Sequence, residues 1–312
     1  MKTTIGIDIS KKTLEISNLD KFSSCANNKK DIEKFIKKVN KIDNLLVVFE
    51  PTGGYESLLS KSLSKSQIPF VMVSPRQVRS FANAMNVVKT DKIDAKMIAD
   101  FAAIKKLEPM KPLSEKDIEA KELLTRRRQL IDMRTAESNR QENVSNSIMK
   151  EIKEHISYLN KKIEKIDKEL ESYVEVSDDN KRKAFILQSV KGVGAVLTRT
   201  ILTLLPEIGT LSSKEIARLV GLAPINCDSG KMSKKRKTIG GRMEVKSVLY
   251  MCTMSAIRHN PVFKEFYNRL LKSGKLRMVA LVATMRKLMV TLNAMIKNDT
   301  EWGLNKKTLV NK

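Results

Sequence analysis

The chain has 312 residues, of which 41% are hydrophobic, and this length is enough for roughly two domains with sizeable cores. Its net charge of +24 favours a polyanionic partner, with nucleic acid preferred to a membrane surface. The three cysteines and two histidines suggest neither a disulfide framework nor a zinc site, and no transmembrane run or signal peptide is recognised. We therefore expect a cytoplasmic protein that binds nucleic acid and does not enter a membrane.

The positive charge is unevenly distributed along the chain. Lysine and arginine exceed aspartate and glutamate by 7 in residues 1–110 and by 19 in residues 181–312, whereas residues 111–180 carry a net charge of −2. The main basic surface is therefore expected in the C-terminal part.

Residues 1–110 alternate between short apolar runs and segments with helical spacing. The runs predict strands at 3–9, 13–16, 44–50 and 70–73, and the intervening patterns predict helices at 31–39 and 55–64. This alternation is typical of an α/β domain with a partly parallel sheet.

Four carboxylates stand out in this first domain. Asp8 and Glu50 lie in or at the end of apolar strands, where an unpaired carboxylate is costly. Asp91 and Asp94 are three residues apart at the start of a segment with helical spacing. Each of them has a structural alternative, as a helix cap or as an acceptor at a strand end. If the fold brings all four together, their mutual repulsion requires cations, and oxygen ligands suit Mg²⁺ and two-metal phosphoryl transfer.

Residues 111–178 change to an apolar stripe among charges of both signs. The stripe predicts two long helices with a coiled-coil seam. A seam this narrow needs a partner helix, either from the same chain folding back or from another subunit. We favour contact with another subunit.

Residues 179–300 predict a mostly helical third domain, followed by a frayed tail at 301–312. Its first segment resembles a helix-hairpin-helix, in which Lys191, Gly192 and Gly194 form a turn that presents backbone N–H groups to a phosphate. The alternative is a plain glycine turn between packed helices. Further helices are predicted at 213–221, 243–258 and 279–296.

The segment from Pro224 to Arg242 shows neither helical nor strand periodicity and is interpreted as a loop. It contains Ser229 next to Gly230, a hydroxyl that could act as a nucleophile, and Ser233 is a weaker candidate because no glycine adjoins it. The candidate phosphate-binding cations of this loop are Lys231, Lys234, Lys235, Arg236, Lys237 and Arg242. The alternative is a solvated basic loop without chemistry.

Three segments together resemble the DEDD-motif bacterial insertion-sequence transposases. They are Gly-Ile-Asp-Ile-Ser around Asp8, Phe-Glu-Pro-Thr-Gly-Gly-Tyr around Glu50, and Lys-Thr-Asp-Lys-Ile-Asp-Ala at 89–95. Gly221-Leu-Ala-Pro and Ser229-Gly-Lys extend the resemblance to the C-terminal part. The fold expected from this resemblance is α/β plus α, with an RNase H-like, resolvase-like N-terminal domain, a coiled-coil linker and a helical domain.

The resemblance also implies roles for the candidate residues. Ser229 is expected to attack a DNA phosphodiester and form a 5′-phosphoserine link, while Asp8, Glu50, Asp91 and Asp94 bind Mg²⁺. Members of this family assemble as tetramers and are guided by a structured noncoding RNA that pairs with donor and target DNA. A dimer or tetramer bound to DNA and guide RNA is therefore expected.

Three other functions remain open at this stage. In a simple junction-resolving nuclease, the carboxylates would hydrolyse DNA and Ser229 would be structural. A basic protein without enzymatic activity would use its positive charge only to bind nucleic acid, as an architectural protein or an inactivated remnant of a mobile element. A sugar-kinase-like ATPase shares the first strand but is disfavoured, because a second phosphate loop is missing and the C-terminal half is basic.

Overall fold

The computed structural model of the chain describes residues 3–18, 21–85, 91–105, 107–110, 114–225 and 237–303, with the side chains of 91–93 left out. The chain divides into two compact units, Met1–Ile118 and Glu119–Lys312. The sequence places boundaries at 110, 178 and 300 instead, so the predicted linker helices belong largely to the second unit.

The first unit is built on a mixed five-stranded sheet of order β3-β2-β1-β4-β5. Its strands are β1 (Thr3–Ile9), β2 (Thr13–Asn18), β3 (Lys21–Ala26), β4 (Leu45–Phe49) and β5 (Phe70–Met72). The pairs β1–β2 and β2–β3 are antiparallel, whereas β4 is parallel to both β1 and β5. The predicted partly parallel sheet is confirmed, and it is consistent with an RNase H-like fold.

Helices cover both faces of this sheet, since the central strands β1 and β4 bury side chains on both sides. The helices are α1 (Lys29–Val39), α2 (Ser57–Lys65), α3 (Pro75–Ala84) and α4 (Asp91–Lys105). The face of β1 that carries Ile5, Ile7 and Ile9 packs with apolar side chains of α1 and α2. The opposite face, with Leu46 and Val48 of β4, packs with α3 and α4.

Two elements of this unit are absent from the sequence analysis. β3 is an edge strand whose first four side chains are exposed, so its sequence has no apolar alternation. α3 starts at Pro75, just after the predicted strand 70–73. Proline is favoured in the first turn of a helix, and only Val78 of α3 is fully buried.

Two long helices follow, α5 (Glu115–Asn139) and α6 (Asn146–Glu175), as predicted. They fold back on one another as an antiparallel hairpin, since Arg127 pairs with Asp167 and Arg134 with Asn160. The buried stripe of α6, which includes Leu159 and Leu170, packs against α5. The expectation that another subunit covers this stripe is thus corrected, because the partner helix comes from the same chain.

Six helices and a short strand pair complete the second unit. They are α7 (Asp178–Gln188), α8 (Ala195–Leu204), α9 (Ser213–Leu219), β6 (Pro224–Ile225), β7 (Lys237–Thr238), α10 (Met243–His259), α11 (Pro261–Lys272) and α12 (Arg277–Lys297). One continuous apolar core joins these helices. The prediction of a mostly helical C-terminal region is confirmed.

Among the described residues, α12 alone is long and apolar enough by length and composition to cross a membrane. Its most apolar window has a mean hydropathy of 1.5, and 56% of that window is buried inside the protein. Arg286 and Lys287 interrupt the apolar run. Leu288 and Leu292 are fully buried in the core of the second unit, so we interpret α12 as a core helix.

The segment after α12 is docked as far as Trp302, which corrects the predicted frayed tail for residues 301 and 302. The Trp302 ring stacks on Phe263 with ring centroids 5.6 Å apart, and its backbone N–H donates to Ser189 Oγ at 2.9 Å. Arg182 of α7 pairs with Asp299. Residues 304–312 lie outside the described part of the chain.

Candidate active site

Asp8 and Glu50 lie next to each other at the carboxyl edge of the sheet. Ile7 of β1 is paired in parallel register with Phe49 of β4, so the next step of the register brings Asp8 beside Glu50. Adjacent strands are about 4.8 Å apart. Because side chains alternate along a strand, both carboxylates lie on the face opposite Ile7 and Phe49, which is the face covered by α4.

The first turn of α4 lies at the same edge. Gly6 lets this helix approach β1 closely, since a Cβ at Gly6 would come within 2.1 Å of the Ala95 carbonyl oxygen. Beyond the end of α4, the Met110 N–H donates at 2.9 Å to the carbonyl of Phe70, the first residue of β5. The helix therefore runs from the carboxyl edge to the amino edge of the sheet, and Asp94 lies near its start.

The donor chemistry of this edge fits a hard divalent cation. Asp8, Glu50 and Asp94 are partly buried and offer only oxygen ligands. Asp91 begins α4, but its side chain falls outside the description. Among the side chains that are described, no three acidic, histidine or cysteine groups are close enough together to hold a metal ion. The four-carboxylate metal site therefore stays a prediction, supported by backbone placement and donor type.

Glu15 is an acidic neighbour of Asp8 that the sequence analysis missed. The two residues are directly opposed across the antiparallel pair of β1 and β2, and opposed residues share a face of the sheet. The signal in the sequence is the short polar turn that starts at Ser10, which fixes the register between the two strands.

Asn27 braces the two loops that follow Asp8 and Glu50. Its Nδ2 donates to the carbonyl oxygen of Ser10 at 2.9 Å and to that of Tyr55 at 3.0 Å. One amide thus fixes the distance between the turn after β1 and the loop after β4. The sequence gives no sign of this role, since Asn27 is remote from both loops along the chain.

Glu56 organises the glycine loop that follows Glu50. Its Oε2 accepts hydrogen bonds from the backbone N–H groups of Thr52 at 3.0 Å and Gly54 at 2.9 Å. Burial alone would raise the pKa of Glu56, but these hydrogen bonds outweigh it and the net pKa is lowered. Glu56 is therefore ionised at neutral pH and holds the backbone that follows Glu50.

The second candidate centre is the basic loop, of which only the two ends are described. Pro224 and Ile225 pair in antiparallel register with Thr238 and Lys237. The interpretation of residues 224–242 as a loop throughout is therefore corrected, because strands of two residues are too short to show periodicity. The candidates that lie outside the described residues are Ser229, Lys231, Ser233, Lys234, Lys235 and Arg236.

Close backbone contacts fix the base of this loop. Gly221 has φ +74°, and a Cβ there would come within 1.8 Å of the Gly240 carbonyl oxygen. Gly241 has φ +85°, and its Cβ would come within 2.2 Å of the Gly221 nitrogen. Only glycine combines these left-handed conformations with such close packing. We call Gly221, Gly240 and Gly241 the glycine clasp, because their backbone contacts hold the two sides of the loop together.

Arg242 has a structural partner next to the clasp. Its guanidinium donates to both carboxylate oxygens of Glu207, at 2.5 and 2.6 Å, and also to the Leu204 carbonyl. Burial would raise the pKa of Glu207, but the hydrogen bonds and charge of Arg242 outweigh it, so the net pKa is lowered. Of the loop cations predicted to contact phosphate, Arg242 thus contributes to the base of the loop, while Lys237 is exposed on β7.

The predicted hairpin between α7 and α8 forms a tight turn. Gly192 has φ +102°, and a Cβ there would lie 2.5 Å from Ala256 Cα of α10. The Cys252 thiol donates to the Gly192 carbonyl at 2.8 Å, and burial raises the pKa of this thiol to about 12. Gly194 caps α8 with no atom within 4 Å of its Cβ position, and Lys191 is exposed. The start of α8 is therefore open to a ligand, as a phosphate contact requires.

Two family models match the chain, and the first of them extends through α5 into the start of α6. A DEDD transposase model of the IS110 type matches residues 5–150, and the model of the transposase IS116/IS110/IS902 family matches residues 184–268. The chain belongs to the IS110 family of DEDD transposases. The predicted family is thus confirmed, and with it catalytic DNA cleavage and joining, DNA as partner and a divalent-metal-dependent active site.

Two named relatives match almost the whole chain. The pilin gene-inverting proteins of Moraxella bovis and Moraxella lacunata are each 28% identical to it over 318 residues. Each match covers 96% of this chain and 97% of the relative. The similarity therefore extends over both units and the hairpin.

Proposed function

We propose that this transposase exchanges DNA strands through a covalent 5′-phosphoserine at Ser229, with Asp8, Glu50, Asp91 and Asp94 acting at the same reaction. The observation that supports this most directly is the adjacent register of Asp8 and Glu50 at the edge where α4 begins. The name of the two relatives, which describes gene inversion, supports strand exchange over simple hydrolysis.

The proposed covalent step balances without an added energy source. Ser229 Oγ forms a bond to phosphorus and loses its proton to a carboxylate or water, while the bond from phosphorus to the bridging 3′ oxygen breaks and that oxygen takes up a proton. The products are a 5′-phosphoserine and a free 3′ hydroxyl. A second 3′ hydroxyl can then attack the phosphoserine and restore Ser229. A serine hydroxyl is a weak nucleophile and needs such activation.

The carboxylates supply the metal-binding groups of this proposal. Asp8, Glu50, Asp91 and Asp94 would hold Mg²⁺, which supplies charge stabilisation to phosphoryl transfer when bound. Lysines and arginines of the basic loop would offset charge on the phosphoryl group. Close packing at Gly221 and the pairing of Arg242 with Glu207 hold the base of this loop.

Guidance by a structured RNA and assembly into a dimer or tetramer complete the proposal. Both rest on the resemblance of the motifs, and the net charge of +19 in residues 181–312 supports binding to nucleic acid. Sequencing the RNA that copurifies with the protein tests the first. A discrete species encoded beside the transposase gene is expected, whereas random fragments would contradict RNA guidance.

Ser229→Ala tests the covalent mechanism, with Ser233→Ala as the matched control in the same loop. Ser229→Ala should abolish both strand exchange and a denaturation-resistant protein–DNA adduct, and Ser233→Ala should leave both unchanged. Peptide mapping of the adduct should locate the phosphate on Ser229. A Ser229→Ala variant that still cleaves DNA normally would favour the junction-resolving nuclease instead.

Asp8→Asn tests whether the carboxylates at the carboxyl edge of the sheet take part in the reaction. The variant should lose cleavage by a factor of about 10³ or more while it still binds DNA, because the change removes a charge from the site and not from the basic surfaces. Activity should also require a divalent cation and disappear with a chelator. Retention of full activity by Asp8→Asn would remove the carboxylates from the mechanism.

A further inference from the structure

Exposed cations flank the carboxyl edge of the sheet on the side of β2. Lys11 and Lys12 form the turn between β1 and β2, immediately beyond Asp8. Ser10 Oγ accepts hydrogen bonds from the backbone N–H groups of Lys12 at 3.2 Å and Thr13 at 2.8 Å, so this turn has a fixed shape. Both lysine side chains are exposed, and no described carboxylate pairs with them.

A second pair of exposed cations lies on the side of β5. The N–H of Val73 still donates to the Phe49 carbonyl at 2.9 Å, and α3 starts two residues later, so its first turn lies at the carboxyl edge. Arg76 and Arg79 lie on the solvent side of α3, opposite the buried Val78. Neither arginine forms an ion pair with a carboxylate in the described part of the chain.

The order of the strands places the acidic residues between these two pairs. Along the edge, β2 is followed by β1, β4 and β5, so Asp8 and Glu50 occupy the two central strands. Three steps between strands span roughly 14 Å, so a DNA strand that crosses this edge passes both pairs of cations and the carboxylates between them. A cluster of carboxylates repels a phosphate backbone, and nearby cations lower this cost on either side of it.

We propose that the Lys11–Lys12 turn and the Arg76–Arg79 face of α3 form a track that holds one DNA strand by its phosphates across the carboxyl edge. Lys11 and Lys12 contact phosphates on one side of the reacting bond, and Arg76 and Arg79 contact phosphates on the other. These contacts position the strand without reading its sequence. This proposal rests on the proposed function, in which the carboxylates at this edge form the reacting site.

Two double variants test the track in the full-length protein, Lys11→Ala/Lys12→Ala and Arg76→Ala/Arg79→Ala. The matched control is Lys37→Ala/Lys38→Ala, which removes the same charge from the last turn of α1, on the opposite face of the sheet. The probes are a fluorescent single-stranded DNA of mixed sequence and an RNA of the same sequence, titrated in the presence of EDTA. Circular dichroism melting checks that all variants fold alike.

Each track variant should raise the Kd for DNA roughly tenfold at about 0.1 M salt, and should lower the slope of log K against log salt by about 1.4. The control should change the slope little. In metal-dependent cleavage, the track variants should raise KM more than they lower kcat. An equal loss of DNA affinity in the control would show that only net charge matters. A loss of affinity for RNA alone would assign the track to RNA. Either result overturns the proposal.

The outcomes also separate this proposal from the function on which it rests. If Asp8→Asn is inactive but both track variants bind and cleave DNA like the parent, only the track is wrong. If Asp8→Asn cleaves normally, the acidic edge itself is not the reacting site, whatever the binding data show.

Discussion

The two candidate centres of this transposase are built in opposite ways. In the N-terminal unit, Asp8 and Glu50 lie at the ends of paired strands, so the sheet register alone places them side by side. In the C-terminal unit, Ser229 lies in the segment 226–236, outside the described residues, and the structure describes the strand pair and the glycines at the two ends of that segment. The sheet register thus positions two carboxylates directly, whereas the described part of the C-terminal unit positions the ends of the segment that carries the serine.

This comparison teaches that positioning in the two units depends on different residues. At the sheet edge, the precision comes from strand pairing, from the close approach at Gly6 and from the Asn27 brace. At the loop base, it comes from the glycine clasp and from the pair of Arg242 with Glu207. Substitutions at the sheet edge should lower metal-dependent cleavage. Substitutions at the loop base should lower formation of the phosphoserine adduct.

Gly221→Ala should have the largest effect, because it introduces both strain and a clash. A Cβ would lie 1.8 Å from the Gly240 carbonyl oxygen in a backbone with φ +74°. We expect a loss of about 4 kcal/mol in the free energy of unfolding and loss of the phosphoserine adduct. Urea unfolding, followed by the fluorescence of Trp302, the one tryptophan of the chain, measures the change in the free energy of unfolding.

Gly240→Ala is the control for this prediction. Gly240 also has a positive φ, +72°, but no atom lies within 4 Å of its Cβ position. This substitution should therefore cost only about 1 kcal/mol of strain. Equal losses at both glycines would show that backbone conformation, and not the close contact within the clasp, determines the stability of the loop base.

Gly6→Ala should be the strongest perturbation of the sheet edge. The new methyl group would lie 2.1 Å from the Ala95 carbonyl oxygen, so α4 must move away from β1. We expect a loss of about 3 kcal/mol and a marked fall in metal-dependent cleavage, because Asp94 moves with the helix. Gly194→Ala, at an open position, should leave stability nearly unchanged. Normal cleavage by a folded Gly6→Ala protein would contradict the role of α4.

Local sequence patterns predict the sheet edge better than the loop base, and the reason is physical. β1 and β4 are continuous apolar runs, and the carboxylates at their ends are conspicuous because charge in such runs is costly. The bounds of β1 are correct to the residue, Thr3–Ile9. Contacts such as those of Asn27 with Ser10 and Tyr55 join distant segments, and no local pattern records them.

Long-range contacts also explain where predictions from local patterns are wrong. The apolar stripe of α6 is the same whether α5 or another subunit covers it, and only the short turn between the two helices favours the former. Arg242 belongs to a run of cations by sequence, yet Glu207, 35 residues away, makes it structural. Local patterns predict elements and exposed chemistry, while long-range pairing decides which charges remain available.

Asn27→Ala should have an intermediate effect at the sheet edge. It removes two hydrogen bonds to carbonyl oxygens that bracket the candidate site, at a cost of about 2 kcal/mol. The control is the neighbouring Asn28→Ala, which removes the N-cap of α1 at a cost of about 1 kcal/mol and leaves both hydrogen bonds of Asn27 in place. Measured kcat should fall for Asn27→Ala and not for Asn28→Ala. Equal kcat values would show that the brace serves stability alone.

Glu207→Gln should have the smallest effect, and that effect should depend on pH. The pKa of Glu207 is lowered below its ordinary value of 4.5, so its ionised form favours the folded state. Its contribution, about 1 kcal/mol, is present at neutral pH and disappears as the pH falls below 4.5 through the lowered pKa. Urea unfolding at several pH values should thus show a stability difference between parent and variant at pH 7 that vanishes in acid. A difference that persists unchanged in acid would mean that the Gln side chain packs poorly, and that the charge of Glu207 is not what holds Arg242 at the base of the loop.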